Sequence, residues 1–245
     1  SLIAVAAISN SNLEGDDALF QAMVEIMFTT GLRFDEVICL DVDCLQAREI
    51  EEQNVFTGEM EILSIHEIRY RAKKGAGYQT KPITESLLPI LKKGLTSAIE
   101  ILAPVRDTIK CVANGKYDFF PIITEDCELF ITDIWERLNW SSRPNLTSYL
   151  KKRNINLTNK RNPNTGAIAG TFHPSDLKGK AFSLAQESID QLWKQISELT
   201  VADSLDKLIF VTQHQQHHSE KRAEPWEFTM ITYTQISDYI AGRPE

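Results

Sequence analysis

Apolar residues recur at helical spacing near the start of the chain. Between Asp16 and Gly31 they repeat every three or four positions, which predicts a helix with one buried face. The repeating positions are Leu19, Phe20, Met23, Ile26 and Met27. Asp16 or Asp17 is a suitable N-cap, and Gly31 is a typical C-terminal stop. A second short helix is predicted from about Asp35, directly after this turn.

The following segments predict a small sheet and further helices. Residues 58–71 mix β-branched and aromatic residues with imperfect alternation, and a glycine-containing stretch follows, so we expect a β-hairpin or small antiparallel sheet. Thr84 is expected to cap a helix that carries Pro89 in its first turn. Residues 154–170 are the most loop-like segment. Further helices are predicted at about 125–138, 179–199, 203–213 and 229–241.

These patterns favour one mainly helical domain over residues 1–245 with a small antiparallel sheet. The sequence shows no internal repeat and no clean linker. The chain begins at Ser1, and we expect it to be a fragment of a longer protein.

Charge is distributed unevenly along the chain. The formal net charge is −8, which argues against a uniformly basic nucleic-acid coat protein. Residues 1–70 hold 14 acidic side chains against three basic ones, whereas residues 137–175 hold seven basic side chains and no acidic one. The second stretch predicts either a surface that faces a polyanion or a solvated loop. Its candidate contacts to a DNA backbone are Lys151, Lys152, Arg153, Lys160 and Arg161.

The composition indicates a soluble protein of the cytoplasm. No run of about 18 apolar residues is present, so we expect no membrane partner. Four cysteines occur without a C-x-x-C pair, which predicts reduced, partly buried thiols and no zinc ribbon.

The segment TTGLRFDEVICLDVDCL, residues 29–45, places Arg33 at the turn between the first two predicted helices. A guanidinium there can bind two phosphate oxygens through its rigid fork, and Glu36 would hold that fork in place. The alternative is an Arg–Glu helix pair with no ligand. The segment resembles the first signature box, T-G-L-R-x-x-E-L-x-x-L, of the tyrosine recombinase (phage integrase) catalytic domain. The matching residues are Thr30, Gly31, Leu32, Arg33, Glu36, Val37 and Leu40.

A second stretch follows at the interval typical of this family. Family members carry a lysine in a β-hairpin before a Val-Pro-Leu-like step into a helix, and Lys74 lies eight positions before Pro82. The resemblance implies that Lys74 protonates the departing 5′ oxygen of DNA, with Lys73 as its rival. The alternative is an exposed lysine that contacts only DNA backbone or water.

The third box differs from the family pattern. The expected P-H-D-L-R is P-S-D-L-K at residues 174–178, so Ser175 replaces the usual histidine and Lys178 replaces the second arginine. Lysine keeps the positive charge but loses the bidentate fork, so it would act as a point charge. His173 is the alternative for the missing imidazole, and its alternative role is structural.

The last box contains several candidate histidines. His214 follows the apolar run 208–211, which we interpret as the end of a helix, as the family histidine does. His217 and His218 are alternatives to it. Trp226 matches a position where some recombinases bind phosphate through an indole N–H.

The resemblance assigns the nucleophile to Tyr233. This residue lies 19 positions after His214, about ten more than is usual in the family, near the predicted start of the last helix. Tyr239 is expected to serve in helix packing instead.

The match covers residues 16–241 and implies a site-specific DNA recombinase or integrase of a mobile element. Tyr233 would form a 3′-phosphotyrosyl bond that a free 5′-hydroxyl later reverses, with no metal and no cofactor. The catalytic set would be Arg33, Lys74, Lys178, His214 and Tyr233. Implied partners are a double-stranded DNA attachment site and other protomers in a DNA-bound tetramer. We expect the N-terminal core-binding domain of the family to be absent from this chain, and the chain alone to be a monomer.

Two other functions remain open from the sequence. The replacements at Ser175 and Lys178 are compatible with an integrase-like DNA-binding protein that no longer cuts. The cluster HQQHH at 214–218 gives a weaker pattern for a metal-dependent hydrolase, because it lacks the acidic residue of H-E-x-x-H.

Overall fold

The chain forms two units, and each unit is built around its own cluster of buried apolar residues. The structure is a computed structural model that describes residues 15–72, 77–135, 137–138, 143–213 and 226–241. The first unit contains the described residues up to Lys110, Ile189–Gln213 and those from Phe228 onward. The second unit contains Cys111–Ser188 and the described residues between 214 and 227. Each unit therefore combines segments that are distant in sequence, and the expectation of one domain stays a prediction.

The described residues form eight α-helices and eight strands. The helices are α1 (Gly15–Thr30), α2 (Phe34–Val37), α3 (Leu88–Ile101), α4 (Ala103–Ala113), α5 (Ile131–Ile134), α6 (Arg143–Lys152), α7 (Pro174–Ile196) and α8 (Tyr233–Ala241). The strands are β1 (Leu45–Gln53), β2 (Met60–Arg71), β3 (Tyr78–Pro82), β4 (Leu129–Phe130), β5 (Thr158–Arg161), β6 (Ile168–Phe172), β7 (Val211–Gln213) and β8 (Phe228–Met230). Helices with antiparallel strands were expected, but the described residues form three small sheets where the sequence predicted one.

The core of the first unit forms where α1 packs against α3. The two backbones approach closely at Gly94, where a Cβ atom would lie 3.0 Å from the carbonyl oxygen of Ala22. The apolar stripe predicted for α1 faces this core, and four of its five members are buried. Predictions of α1 and of the short α2 are confirmed.

The sheet of the first unit has the order β1-β2-β3, with both pairs antiparallel. In its register Leu45 lies opposite Ile68, and Ile68 lies opposite Lys81. Residues that are paired across strands share a face of the sheet, and Ile68 is fully buried. The predicted hairpin of residues 58–71 is confirmed as β2–β3, while β1 was not predicted.

The far end of the β1–β2 hairpin extends into solvent. Asn54 Oδ1 accepts hydrogen bonds from the backbone N–H groups of Phe56 and Thr57, at 2.9 and 3.2 Å. This ordered turn leaves the Phe56 side chain 99% exposed. The tip therefore adds nothing to the apolar core.

A polar network joins α1, α3 and α8 inside the first unit. The Lys93 ammonium lies 2.6 Å from a carboxylate oxygen of Glu25, which is buried. Gln21 Nε2 donates to the same Glu25 oxygen at 3.3 Å, and the Tyr239 hydroxyl donates to Gln21 Oε1 at 3.1 Å. The network fixes α8 against α1, and Tyr239 has the packing role that was expected for it.

Residues 203–213 do not form the helix that the sequence predicted. They contain a 3₁₀ turn at Leu205–Lys207 and strand β7, which pairs with β8. The apolar run from Leu208 to Val211 is 0% exposed at each position. A run that is buried on every side shows no helical period, so its strand character was missed. The helix predicted at 229–241 begins at Tyr233, after β8.

The second unit encloses a smaller core between α5, α6 and a three-stranded sheet of order β4-β6-β5. The loop expected at 154–170 contains the β5–β6 hairpin, whose turn is fixed by the fully buried Asn162. The Asn162 Nδ2 donates to Thr132 Oγ1 at 2.9 Å and to Asp133 Oδ1 at 3.0 Å. Within the range 125–138 that was predicted to be helical, the described residues contain strand β4 and helix α5, and the others form turns or irregular structure. Helix α7 begins five residues before its predicted start.

No helix in the described ranges combines the length and apolar character that a membrane crossing requires. All four cysteines are free thiols, as predicted, and two of them are buried. Burial raises the pKa of the Cys44 thiol to about 12, so this group stays protonated and unreactive.

Candidate functional site

Arg33 lies on a tight turn between α1 and α2. The Gly31 N–H donates to the Met27 carbonyl at 2.8 Å, and Gly31 adopts a φ of +60°, which favours glycine. The Thr30 hydroxyl donates to the Ile26 carbonyl at 2.6 Å and accepts from the Leu32 N–H at 3.2 Å. The turn therefore holds the backbone before Arg33 in one conformation.

The Arg33 side chain is exposed, and its guanidinium makes no hydrogen bond or ion pair with the residues that the structure describes. The sequence predicted that Glu36 would hold the guanidinium fork. Instead Glu36 Oε2 accepts from the backbone N–H of Arg33 at 2.9 Å, as in a capping box. Glu36 thus stabilises the start of α2 and leaves the Arg33 fork available to a ligand.

Tyr233 lies beside this turn. Thr232 and Gln235 cap the start of α8 reciprocally: the Thr232 N–H donates to Gln235 Oε1 at 2.8 Å, and the Gln235 N–H donates to Thr232 Oγ1 at 3.4 Å. Tyr233 is therefore the first residue of α8. Its ring packs edge-on against Phe34 with centroids 5.6 Å apart, and its side chain remains 66% exposed. The structure thus brings Tyr233 next to the residue that follows Arg33.

Lys81 is a third polar residue at the same turn, and sequence reasoning did not select it. Its Nζ lies 3.1 Å from the position that a Cβ atom on Gly31 would occupy. The ammonium reaches the turn because Lys81 pairs with Ile68 on the core-facing side of the sheet. The position of Lys81 directly before Pro82 does not indicate this contact, because the β2–β3 register is what brings Lys81 close to Gly31.

Five of the sequence-predicted residues lie outside the described residues. They are Lys73, Lys74, His214, His217 and His218. Their roles stay predictions.

Lys178 belongs to the second unit and is already engaged there. Its Nζ donates to Asp118 Oδ2 at 2.6 Å and to the Ile123 carbonyl at 2.8 Å. Nearby, Ser175 Oγ lies 2.7 Å from His173 Nδ1 at the start of α7. These contacts give Lys178 a structural role in joining α7 to the 118–123 segment, and its catalytic role stays a prediction.

Trp226 is 3% exposed and packs in an aromatic cluster of the second unit. Its ring centroid lies 6.3 Å from that of Phe119, 6.2 Å from Phe120 and 6.0 Å from Tyr149. The Arg153 guanidinium lies over the Trp226 ring at 5.8 Å. This burial favours a packing role for Trp226 over direct phosphate contact.

The basic stretch of the second unit is partly neutralised by local contacts. Lys160 forms an ion pair with Glu128, and Arg161 Nε donates to the Gly166 carbonyl at 3.0 Å. Lys151 and Lys152 are exposed and have no ion-pair partner among the described residues. Of the five predicted backbone contacts, these two lysines keep the most freedom to bind a polyanion.

The first unit also holds a cavity of about 340 Å³ next to α2. The described part of its lining contains the carboxylates of Asp35, Glu36 and Glu198 and the guanidinium of Arg71. Ala72 and Gly77 also line it, and residues 73–76 between them, which include Lys73 and Lys74, lie outside the described residues.

Within the described ranges, no group of three or more His, Cys, Asp or Glu side chains is arranged to hold a metal ion. The HQQHH cluster lies outside those ranges, so the hydrolase alternative is untested.

Comparisons of this chain with protein-family models, with curated proteins and with solved structures found no match.

Proposed function

We propose that this chain is the catalytic domain of a tyrosine-type site-specific recombinase, which cuts and rejoins DNA without a metal. The observation that carries the proposal is the juxtaposition of Tyr233 with the Arg33 turn. The exposed Tyr233 packs edge-on against Phe34, and Phe34 directly follows Arg33, whose exposed guanidinium has no partner among the described residues. We therefore expect a phosphodiester bound at the Arg33 turn to lie near Tyr233.

The proposed reaction is an in-line displacement at phosphorus. Tyr233 Oη loses its proton to a base, for which His214 is the candidate, and bonds to phosphorus while the P–O5′ bond breaks. The 5′ oxygen takes a proton, for which Lys74 is the candidate donor. Arg33 stabilises the charge that develops on the non-bridging oxygens. Attack by a 5′-hydroxyl of a partner strand reverses the reaction and releases Tyr233.

The substrate would be a double-stranded attachment site, bound by four protomers as the family resemblance implies. Lys151 and Lys152 are the candidates for backbone contacts in the second unit. Such contacts would make binding weaker at higher salt concentration, because phosphate neutralisation releases counterions.

A specific observation favours a second candidate function. Lys178 is occupied by Asp118 and by the Ile123 carbonyl, so the third family box does not present a free cation in this conformation. The second candidate is therefore a DNA-binding relative of the recombinases that does not cut.

Covalent trapping separates the two candidates. The probe is a pool of nicked duplexes with randomised sequence around the nick, placed so that cleavage releases a short fragment with a free 5′-hydroxyl, which diffuses away and cannot reverse the reaction. We expect wild-type protein, but not Tyr233→Phe, to retain labelled DNA on a denaturing gel. Tyr239→Phe is the matched control, and it should still trap DNA. Binding of the pool by wild type without any covalent product would support the second candidate and reject the first.

A further inference from the structure

Two cationic side chains, those of Lys81 and Arg33, lie at the Gly31–Arg33 turn. The Lys81 ammonium approaches Gly31 from the sheet, 3.1 Å from the position of a Cβ atom there. Arg33, which carries the guanidinium, follows Gly31 by two positions in the sequence. Neither group has an ion-pair or hydrogen-bond partner among the described residues.

Among the described residues, neither cation forms an ion pair with a carboxylate of α2. Glu36 Oε2 accepts the backbone N–H of Arg33 instead, and Asp35 and Glu36 line the cavity next to α2. Lys81 is only half-exposed, so its charge is screened less by solvent than that of a surface lysine. Two like charges near one turn repel each other, and a bound anion relieves that repulsion.

We propose that Lys81 and Arg33 together bind one phosphate group of a DNA strand, with Lys81 as a phosphate-binding residue that fixes the phosphate in front of Tyr233. The guanidinium binds two oxygens through its fork, and the ammonium contacts the phosphate as a point charge from the sheet side. Lys81 thereby adds a cation to the first unit that does not depend on Lys178. The role in catalysis rests on the proposed function, whereas phosphate binding at the turn does not.

Gly31 has a defined part in this site. A side chain at position 31 would compete with the Lys81 ammonium for space and would also be strained at a φ of +60°. Gly31→Ala is therefore a second way to displace the ammonium without removing its charge.

The first experiment measures phosphate binding alone. Inorganic phosphate is titrated into the full chain, and the amide signals of Gly31 and Arg33 are followed by ¹H–¹⁵N NMR. We expect saturable shifts in wild type and in the control Lys92→Met, which removes an exposed lysine of α3. In Lys81→Met the apparent affinity should fall at least tenfold, Lys81→Arg should restore most of it, and Gly31→Ala should also weaken binding. Equal affinity in wild type and Lys81→Met would overturn the proposal.

The second experiment connects the site to DNA. Covalent trapping is measured against the concentration of the nicked pool, so that half-saturation and maximal rate are separated. Loss of phosphate binding in Lys81→Met, with no trapping by wild type, would reject the proposed function and leave the phosphate site standing. If wild type and Lys81→Met trap DNA with the same half-saturation and the same maximal rate, the proposed role of Lys81 is rejected and the proposed function is not. A spectrum that matches that of folded wild type excludes unfolding as the cause of weaker phosphate binding in a variant. If Lys81→Met fails to fold, Lys81→Arg still tests whether a positive charge at position 81 is sufficient.

Discussion

The ring of Tyr233 stands edge-on to the ring of Phe34, with centroids 5.6 Å apart and planes inclined by 80°. Phe34 is the first residue of α2 and is mostly buried, so it gives the exposed tyrosine a fixed support. Arg33 precedes Phe34 in the chain, and the same contact therefore positions the Tyr233 phenol relative to the backbone of Arg33. Edge-to-face geometry of this kind is favourable by about 0.5–1.5 kcal/mol beyond its buried area.

Replacement of Phe34 by leucine tests this support. Leucine keeps the apolar contact with the core but removes the aromatic face, so the free energy of unfolding should fall by about 1 kcal/mol or less. Misplacement of the phenol should lower the rate of covalent trapping by about tenfold or more. Chemical denaturation and trapping rates measure the two effects. An unchanged trapping rate would show that Phe34 does not position Tyr233.

Arg33→Lys tests whether the fork, and not only the charge, is required. Lysine retains the positive charge but loses bidentate geometry, so the trapping rate should fall by about 10²-fold or more. Little change in stability is expected, since Arg33 is exposed and unpaired among the described residues. Arg48→Lys, at an exposed arginine paired with Glu67, is the matched control and should trap DNA normally.

The two tyrosines of α8 should separate stability from chemistry. Tyr239→Phe removes the hydroxyl that donates to Gln21 and should lower the free energy of unfolding by about 1 kcal/mol, with trapping retained. Tyr233→Phe removes an exposed hydroxyl and should leave stability unchanged, with trapping abolished. Thermal denaturation and the trapping gel measure both. The reverse pattern would assign the nucleophile to Tyr239.

The parts of the candidate site that the sequence predicted are those fixed by local signals. Gly31 ends α1 because its backbone needs a positive φ, and that signal also located Arg33. The start of α8 at Tyr233 depends on the nearby Thr232–Gln235 cap, although the prediction began the helix four residues early. These features require only a few neighbouring residues, which is why the sequence shows them.

The features that the sequence did not predict depend on tertiary packing. Lys81 reaches the turn through its pairing with Ile68, and no periodicity along the chain encodes that register. Strand β1 was missed because most of its residues are exposed on both faces, so it lacks the alternation of a half-buried strand. Lys178 was assigned from its place in a motif, while its contact with Asp118 joins residues far apart in the chain.

The Glu125–Arg137 pair predicts a distinct response to acid. Hydrogen bonds from Arg137, at 2.6 and 3.2 Å, are the main cause that lowers the pKa of Glu125 to about 2. Because the folded pKa is depressed, the stabilisation from this pair is fully present above pH 4.5, the ordinary value, and is lost as the pH falls toward about 2. Carboxyl ¹³C NMR should show Glu125 ionised at pH 3.5, and Arg137→Gln should return its pKa toward 4.5. Titration of wild-type Glu125 near 4.5 would show that the pair does not persist in solution.

The interpretation of the third box depends on whether Lys178 is structural or contacts phosphate, and the two roles lead to different predictions. If Lys178 is structural, Lys178→Met removes the donor to Asp118 Oδ2 and to the Ile123 carbonyl, and the free energy of unfolding should fall by about 1–2 kcal/mol. The ion pair itself is about one-third exposed and contributes only part of that loss.

Asp118→Asn keeps a polar partner while removing the counter-charge, so it should cost less stability and should free the ammonium. We expect Asp118→Asn to trap DNA at least as fast as wild type if Lys178 also contacts phosphate, because the ammonium no longer has to leave a carboxylate. Equal trapping by wild type and both variants, together with the stability loss of Lys178→Met, would make Lys178 purely structural and would leave the cations of the first unit as the phosphate site.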